Sequence, residues 1–349
     1  MKEKRSLFQI LFEAKSIDSV APVPKTLAYI ILGFWTFVCL FPLYWLIVTS
    51  FKLPIQVHDG PMYLPGIDFK PSMHAWEYIF VVLGNDTLRP YLNTLLISFT
   101  SSILAVVIGS MAGYALTRIA YSPKFGSVLM FIGTLVLTIV SVVWLNLAWQ
   151  LALASGLALY LVLLTTVGRK FKKSLHNNDI AFFMISQRIL PPVAVVIPIY
   201  VLFQRIGLLD THAALIITYT AVNLPIVVWL MRDFFESVPM DLEESASLDG
   251  ASRYRVFFTI ILPLSKPGLA ATFLLVLILC WNEYLIALFL STAKAQTLPL
   301  LIAAMNATRG PQWWYMSVVI IIMIAPVVAI TVVLQRFITR GLLIGAVKG

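Results

Sequence analysis

Seven apolar runs, at residues 26–50, 91–117, 127–167, 180–203, 213–231, 268–290 and 314–334, leave this chain very few places to put a water-facing surface. A helix needs about 20 predominantly apolar residues to cross the hydrocarbon of a bilayer. Within that hydrocarbon every backbone N–H and C=O must be bonded inside its own segment, so such runs become helices. The third run, 127–167, is too long for one crossing and about right for two, with a tight turn near 146–150. Eight transmembrane helices are therefore predicted. The chain is 60% hydrophobic and 12% charged, with a mean hydropathy of +0.91, which lies outside the range of soluble globular proteins.

The placement of cations tests that count. With both termini on the cytoplasmic side, segments 1–25, 118–126, 168–179, 232–267 and 335–349 hold 18 of the 25 Lys and Arg residues. Segments 51–90, 204–212 and 291–313 hold six, and Arg188 lies inside a span. This is the positive-inside bias. If 127–167 crossed only once, the cluster Arg169, Lys170, Lys172 and Lys173 would fall outside. The net charge of +9 therefore reflects topology and no nucleic-acid partner. Residues 1–25 lack the short apolar core of a signal peptide and read as a cytoplasmic arm. Cys39 and Cys280 both sit in apolar runs, where a thiol behaves as a small hydrophobe. The chain thus divides into the arm 1–25, two helices with an external loop over 26–117, a hairpin with a basic flank over 118–179, a core over 180–334 containing a polar loop at 232–267, and a cytoplasmic tail over 335–349.

Within that loop, residues 241–266 read DLEESASLDGASRYRVFFTIILPLSK. Pro239 can open a helix, Glu243 and Glu244 complement its positive N-terminal end, and Leu242, Ala246 and Leu248 give it a partly apolar side. Gly250 tolerates the left-handed backbone at which many helices end. A second helix is expected over 251–261, near Arg253 and Arg255, stopped by Pro263 and Pro267. Such a knob suits insertion into a cleft on another protein, or lies as an amphipathic loop on the membrane surface.

The spacing Glu244-x-Ala246-x3-Gly250-x9-Ile260-x-Leu262-Pro263 resembles the loop by which permeases of ABC importers engage their ATPases. Further matches identify the carbohydrate-type class, similar to the second permease of maltose transporters. They are Phe41 to Trp45 with Thr49 to Lys52, Asn93-Thr94, Arg188 to Pro192, Gly207 to Thr211, Trp281 to Tyr284, and the closing Gln335 to Phe337, Arg340 to Leu342 and Gly345 to Gly349. The resemblance implies an all-α, six-helix type I importer core to which a two-helix hairpin has been added. It implies ATPase coupling through Glu243, Glu244, Ala246, Asp249, Gly250, Arg253 and Pro263, and a tail at the ATPase interface carrying Arg340, Gly341, Gly345 and Lys348. Arg309, Gly310, Pro311 and Trp313 would meet a solute-binding protein outside the cell. The implied partners are a second, related permease, two ATPase subunits that bind ATP and Mg, that binding protein, membrane lipid, and a sugar or polyol, in the cytoplasmic membrane of a bacterium or archaeon. Two departures stand out: Ser245 replaces a second alanine, and 125–179 has no counterpart in the six-helix subunit. That hairpin either braces the bundle or docks a further subunit.

Polar groups within the spans must find partners or water, which singles out Asn223, Asn282, Glu283 and Tyr284. They either line a solute pathway or brace helix against helix. Asn282 and Glu283 are expected in the last turns of a continuous span over 268–290. Pro191 and Pro192 remove two donors and kink a span, for packing or for gating. Gly109 and Gly113 have the spacing of close helix contact. No G-x4-G-K-[ST] pattern occurs, so the chain binds no ATP in the P-loop manner and holds no cofactor of its own. No metal or hydrolase motif is present either. The alternative is a secondary transporter driven by an ion gradient, which would place carboxylates in several spans.

Overall fold

The computed structural model describes residues 21–168, 171, 174–307 and 310–346, and of 307 and 336–346 it describes the backbone. Most of the expected N-terminal arm, the cluster at 169–173 except Phe171, Arg309 and Lys348 lie outside the described residues. The chain forms two compact units, Met1–Gly84 with Met305–Ile322, and Asn85–Ala304 with Met323–Gly349.

The long helices are α1 (Pro22–Ser50), α2 (Gly84–Arg118), α3 (Phe125–Val143), α4 (Trp149–Thr166), α7 (His212–Glu236) and α13 (Trp313–Ala346). Between them lie α5 (Asn177–Ser186), α6 (Pro192–Arg205), α8 (Asp241–Leu248), α9 (Arg253–Val256), α10 (Lys266–Trp281), α11 (Leu285–Leu290) and α12 (Leu298–Ala307). Among the described residues six helices are long and apolar enough to cross a membrane, or up to eight when each of two bent pairs counts as one span. The chain is thus an all-helical, multi-pass membrane protein.

The first unit is stitched by aromatic side chains. Lys52 is buried, its ammonium 4.2 Å from the Trp45 ring centroid and 5.4 Å from that of Phe69. Trp76 Nε1 donates to Ser50 Oγ, and Tyr78 stacks on Tyr315 at 4.1 Å.

In the second unit α2 lies directly on α7. A Cβ on Gly109 would stand 2.5 Å from Val227 Cγ1, and one on Gly113 3.2 Å from the Val228 carbonyl. The glycine pair therefore serves contact within this chain. Helices α3 and α4 form a hairpin whose turn places Asn146 at φ 52, and Gly156 lies so close to Thr138 that no Cβ fits. At one end of this unit Asn177 Nδ2 donates to the Leu116 and Ile119 carbonyls, and Arg232 Nη2 to Asn178 Oδ1. At the other end Arg205 Nη1 donates to Asn146 Oδ1, and Asp210 N–H to the Leu290 carbonyl. The ends of the hairpin thus return to the level of residues 116–119, with its turn at the level of 205.

Several expectations are corrected. Pro239 precedes the first loop helix, which starts at Asp241. The second begins at Arg253 behind the Ser252 cap and is not stopped by Pro263. A widened turn over Phe257–Ile261, in which Leu262 N–H bonds back to the Phe257 carbonyl, carries the helix past the proline to Leu264. The chain then bends by 78° between Arg253–Leu264 and Lys266–Trp281, so Pro267 starts α10. The span expected over 268–290 is broken at Asn282–Tyr284. The segment 291–313, expected as a loop, contains α12. Helix α13 runs unbroken past 335, which puts Arg340, Gly341 and Gly345 in its final turns.

Candidate functional site: the loop at 240–265

The loop projects from the end of α7 as a short helix, a glycine turn and a second helix. Asp241, Glu243 and Glu244 all occupy the first turn of α8, where the helix dipole favours negative charge. At the far end Gly250 takes φ 81, its N–H bonds the Ser247 carbonyl, and the Ala251 N–H reaches the Ala246 carbonyl. These two bonds make a Schellman termination, which needs the left-handed residue that glycine supplies. Ser252 then starts α9 by accepting from the Arg255 N–H at 3.3 Å.

The two neighbouring glutamates point in different directions. Glu243 is buried and accepts from Arg118 Nε at 2.6 Å and from Tyr114 Oη at 2.8 Å, both on the last turns of α2. Arg118 Nη2 also donates to the Phe235 and Val238 carbonyls at 3.0 and 2.7 Å, satisfying acceptors that the end of α7 leaves free. Phe257 completes the joint, its ring centroid 4.8 Å from that of Tyr114 and 6.1 Å from that of Phe235. Glu244, Asp249, Gly250 and Arg253 are exposed, and Ala246 is half-buried. Leu248, Tyr254 and Phe258 are 89%, 75% and 55% exposed, an apolar offering that the described residues leave uncovered. A cavity of about 490 Å³ opens beside α8, with Ile119, Glu244, Leu248 and Arg253 in its walls. The inner side of the loop is thus riveted to the bundle and the outer side presents apolar and charged groups. Neither Arg118 nor Tyr114 was singled out by sequence reasoning. The available signal was an arginine closing one span and a glutamate opening the loop after another.

The membrane residues fall in two helix breaks and one buried site. Asn223 is buried, its amide bonding the Tyr219 carbonyl and Cys280 Sγ. Asn282 and Tyr284 are exposed in the break between α10 and α11, where Asn282 Nδ2 bonds the Ile278 carbonyl. Glu283 Oε1 accepts from the Ile286 N–H at 3.0 Å and so caps α11. Pro191 and Pro192 mark a 92° bend between Asn177–Ile189 and Pro192–Arg205. In the first unit Gly310 takes φ 76, Pro311 is exposed, and Trp313 opens α13.

At the other end of the second unit Asp210, with φ 56, turns its carboxylate onto the N–H groups of Thr292, Ala293, Lys294 and Ala295 at 2.9–3.1 Å. Asn93 grips the same strap through the Lys294 and Gln296 carbonyls, and Thr94 accepts from the Leu298 N–H. Burial pushes the Asp210 carboxyl up, but the N–H groups of Lys294, Thr292, Ala295 and Ala293 outweigh it and hold it well below the usual carboxylate range. A depressed carboxyl stabilises the fold above its unfolded value, about 3.9, and that contribution is lost as pH falls below it. Asp210→Ala is expected to destabilise the detergent-solubilised protein by about 2–3 kcal/mol at neutral pH. The difference from wild type should shrink below about pH 4. Thermal unfolding across pH checks this, and a difference independent of pH would refute it.

The family profile described as binding-protein-dependent transport system inner membrane component matches residues 166–344. The chain is 30% identical over 318 residues to the probable ABC transporter permease protein y4oR of Sinorhizobium fredii, covering 90% of this chain and 94% of the relative. It is 29% identical over 319 residues to the trehalose/maltose transport system permease protein MalG of Thermococcus litoralis, covering 89% and 92%. Among solved structures, a chain of a bacterial ABC transporter involved in the import of the acidic polysaccharide alginate shares the fold. There the TM-score is 0.56 at 21% identity, with 90% of this chain and 96% of that chain covered.

Proposed function

This chain belongs to the binding-protein-dependent transport system inner membrane component family, and from that premise we propose that it carries a sugar or polyol and docks its ATPases through residues 241–263. It is a permease of an ATP-driven importer. In the proposed assembly it pairs with a second, related permease, two ATPase subunits that bind ATP and Mg, and an external solute-binding protein, with both of its termini cytoplasmic. The observation that carries the docking is the loop itself, a glycine-ended helix whose inner face is fixed and whose Leu248, Tyr254 and Phe258 are bare. The trehalose/maltose relative supports the proposed substrate class. Asn282 and Tyr284, exposed at a helix break, are the proposed contacts for hydroxyls. Gly310, Pro311 and Trp313, with Arg309, form the proposed contact with the binding protein, and the end of α13 with Lys348 approaches the ATPases. Glu283 is occupied in capping α11, which speaks for bracing and against an ion-coupled mechanism.

The test is uptake into proteoliposomes containing the assembled complex. A hydrolysis-dead ATPase is expected to abolish uptake and an ion uncoupler to leave it unchanged. The opposite pattern would make the chain a gradient-driven carrier. Thermal-shift screening of the partner binding protein against sugars identifies the solute.

A further inference from the structure

We propose that Arg118 and Tyr114 are positioning residues that make the 240–265 loop and the adjoining end of α2 a single mechanical body, so that movement of the loop reaches the bundle through α2. The proposal rests on the importer reading and adds the route by which force travels.

Four observations carry it. First, among the described residues the buried Glu243 carboxylate is held from α2, by Arg118 Nε and Tyr114 Oη. Pulling it away would leave an unpaired charge in a poorly solvated site, so the joint holds as a unit or not at all. Second, the same guanidinium grips the Phe235 and Val238 carbonyls, locking the end of α7 into the joint. Third, there is no slack between α2 and α7, because Gly109 and Gly113 contribute no side chain and receive Val227 and the Val228 backbone directly. Fourth, the two sharp bends, 78° around Ser265 and 92° around Pro191, lie at or outside the edge of this block, and the widened turn within it at Phe257–Ile261 is packed through Phe257 onto Tyr114 and Phe235. A rigid block of loop, α2 and α7, bordered by two bends, turns a push on α8 into a displacement of α2. Close-packed interiors shift as units and do not deform smoothly.

The experiment uses the complete transporter in proteoliposomes, with ATPase co-purification, hydrolysis and solute uptake measured together. Arg118→Gln is expected to keep the ATPases bound and hydrolysing, because the outer face of the loop is untouched, while solute moved per ATP falls by about tenfold or more. Tyr114→Phe should show a smaller loss of the same kind. A purely structural role would lower the amount of complex and leave the ratio unchanged. The decisive arm is a tether between the cavity walls contributed by the residue that follows α2 and by α8: Ile119→Cys with Ser247→Cys in a Cys39→Ser background, joined by a short bismaleimide. Joining two parts of one body should leave transport as in the unjoined control, and in Arg118→Gln the tether should restore the ratio. Loss of transport on tethering the otherwise wild-type chain would show that the loop slides against α2 and would overturn the proposal, as would a normal ratio in Arg118→Gln. Should Arg118→Gln fail to accumulate, the tether in the wild-type background still decides. If no ATPase co-purifies with the wild-type chain, it is the importer reading that fails.

Discussion

Gly250→Val is expected to leave the chain in the membrane and to reduce its co-purification with the ATPase subunits by about tenfold or more. The backbone at Gly250 has φ 81, where a Cβ meets the following carbonyl. That strain is about 1–2 kcal/mol for an ordinary side chain and larger for a branched one. Among the described residues nothing lies within 4 Å of the new Cβ, so no internal clash there adds to it. The cost falls on the Schellman bonds that set α8 at its angle to α9, and 1.4 kcal/mol is a factor of ten in a binding equilibrium. Glu244→Lys acts from outside. It reverses an exposed charge in the first turn of α8, where the helix dipole disfavours a cation by about 0.3–1 kcal/mol, and it would present the proposed docking partner with the opposite charge. Neither change touches the packing between spans. Pull-down of the ATPase with tagged permease, with hydrolysis stimulated by loaded binding protein, reads both. Wild-type values for both variants would reduce the loop to a surface connector.

Gly109→Leu is expected to remove most of the folded protein from the membrane. Its Cβ would stand 2.5 Å from Val227 Cγ1 and 2.7 Å from Val227 Cβ, distances that only a shift of α2 away from α7 relieves. Overpacking of this kind costs about 1–3 kcal/mol, and more where backbone must move. Here the shift would also pull Tyr114 and Arg118 out of register with Glu243. Gly113→Ala, 3.2 Å from a carbonyl oxygen, should be milder. Gly133→Leu is the control, since no described residue lies within 4 Å of a Cβ at that position on α3. Membrane-integrated yield and thermal unfolding in detergent compare the three. A Gly109→Leu protein indistinguishable from Gly133→Leu would mean that the two helices do not meet as described.

What the sequence determined by itself was whatever depends on near neighbours. The length of an apolar run decides whether it can span a bilayer, and the spacing from Glu244 to Pro263 marks the loop. Gly250 is legible because a helix terminates in a left-handed residue that few side chains tolerate. The paired prolines at 191 and 192 likewise announce a break, because proline has no N–H to give. Tertiary structure decided the rest. Glu243 and Glu244 are chemically alike and adjacent, and only the arrival of Arg118, 125 residues earlier in the chain, turns the first inward and leaves the second free. Pro263 looks like a stop signal, yet the widened turn before it lets the helix continue, with Phe257 at the start of that turn packed against Tyr114 and Phe235. Asp210 reads as a turn residue until residues 292–295 close over its carboxylate. Glu283 reads as a membrane carboxylate until the chain breaks beside it and the Ile286 N–H needs an acceptor. In each case the sequence displays a donor or an acceptor, and its partner comes from a segment that only the folded chain brings within hydrogen-bond reach.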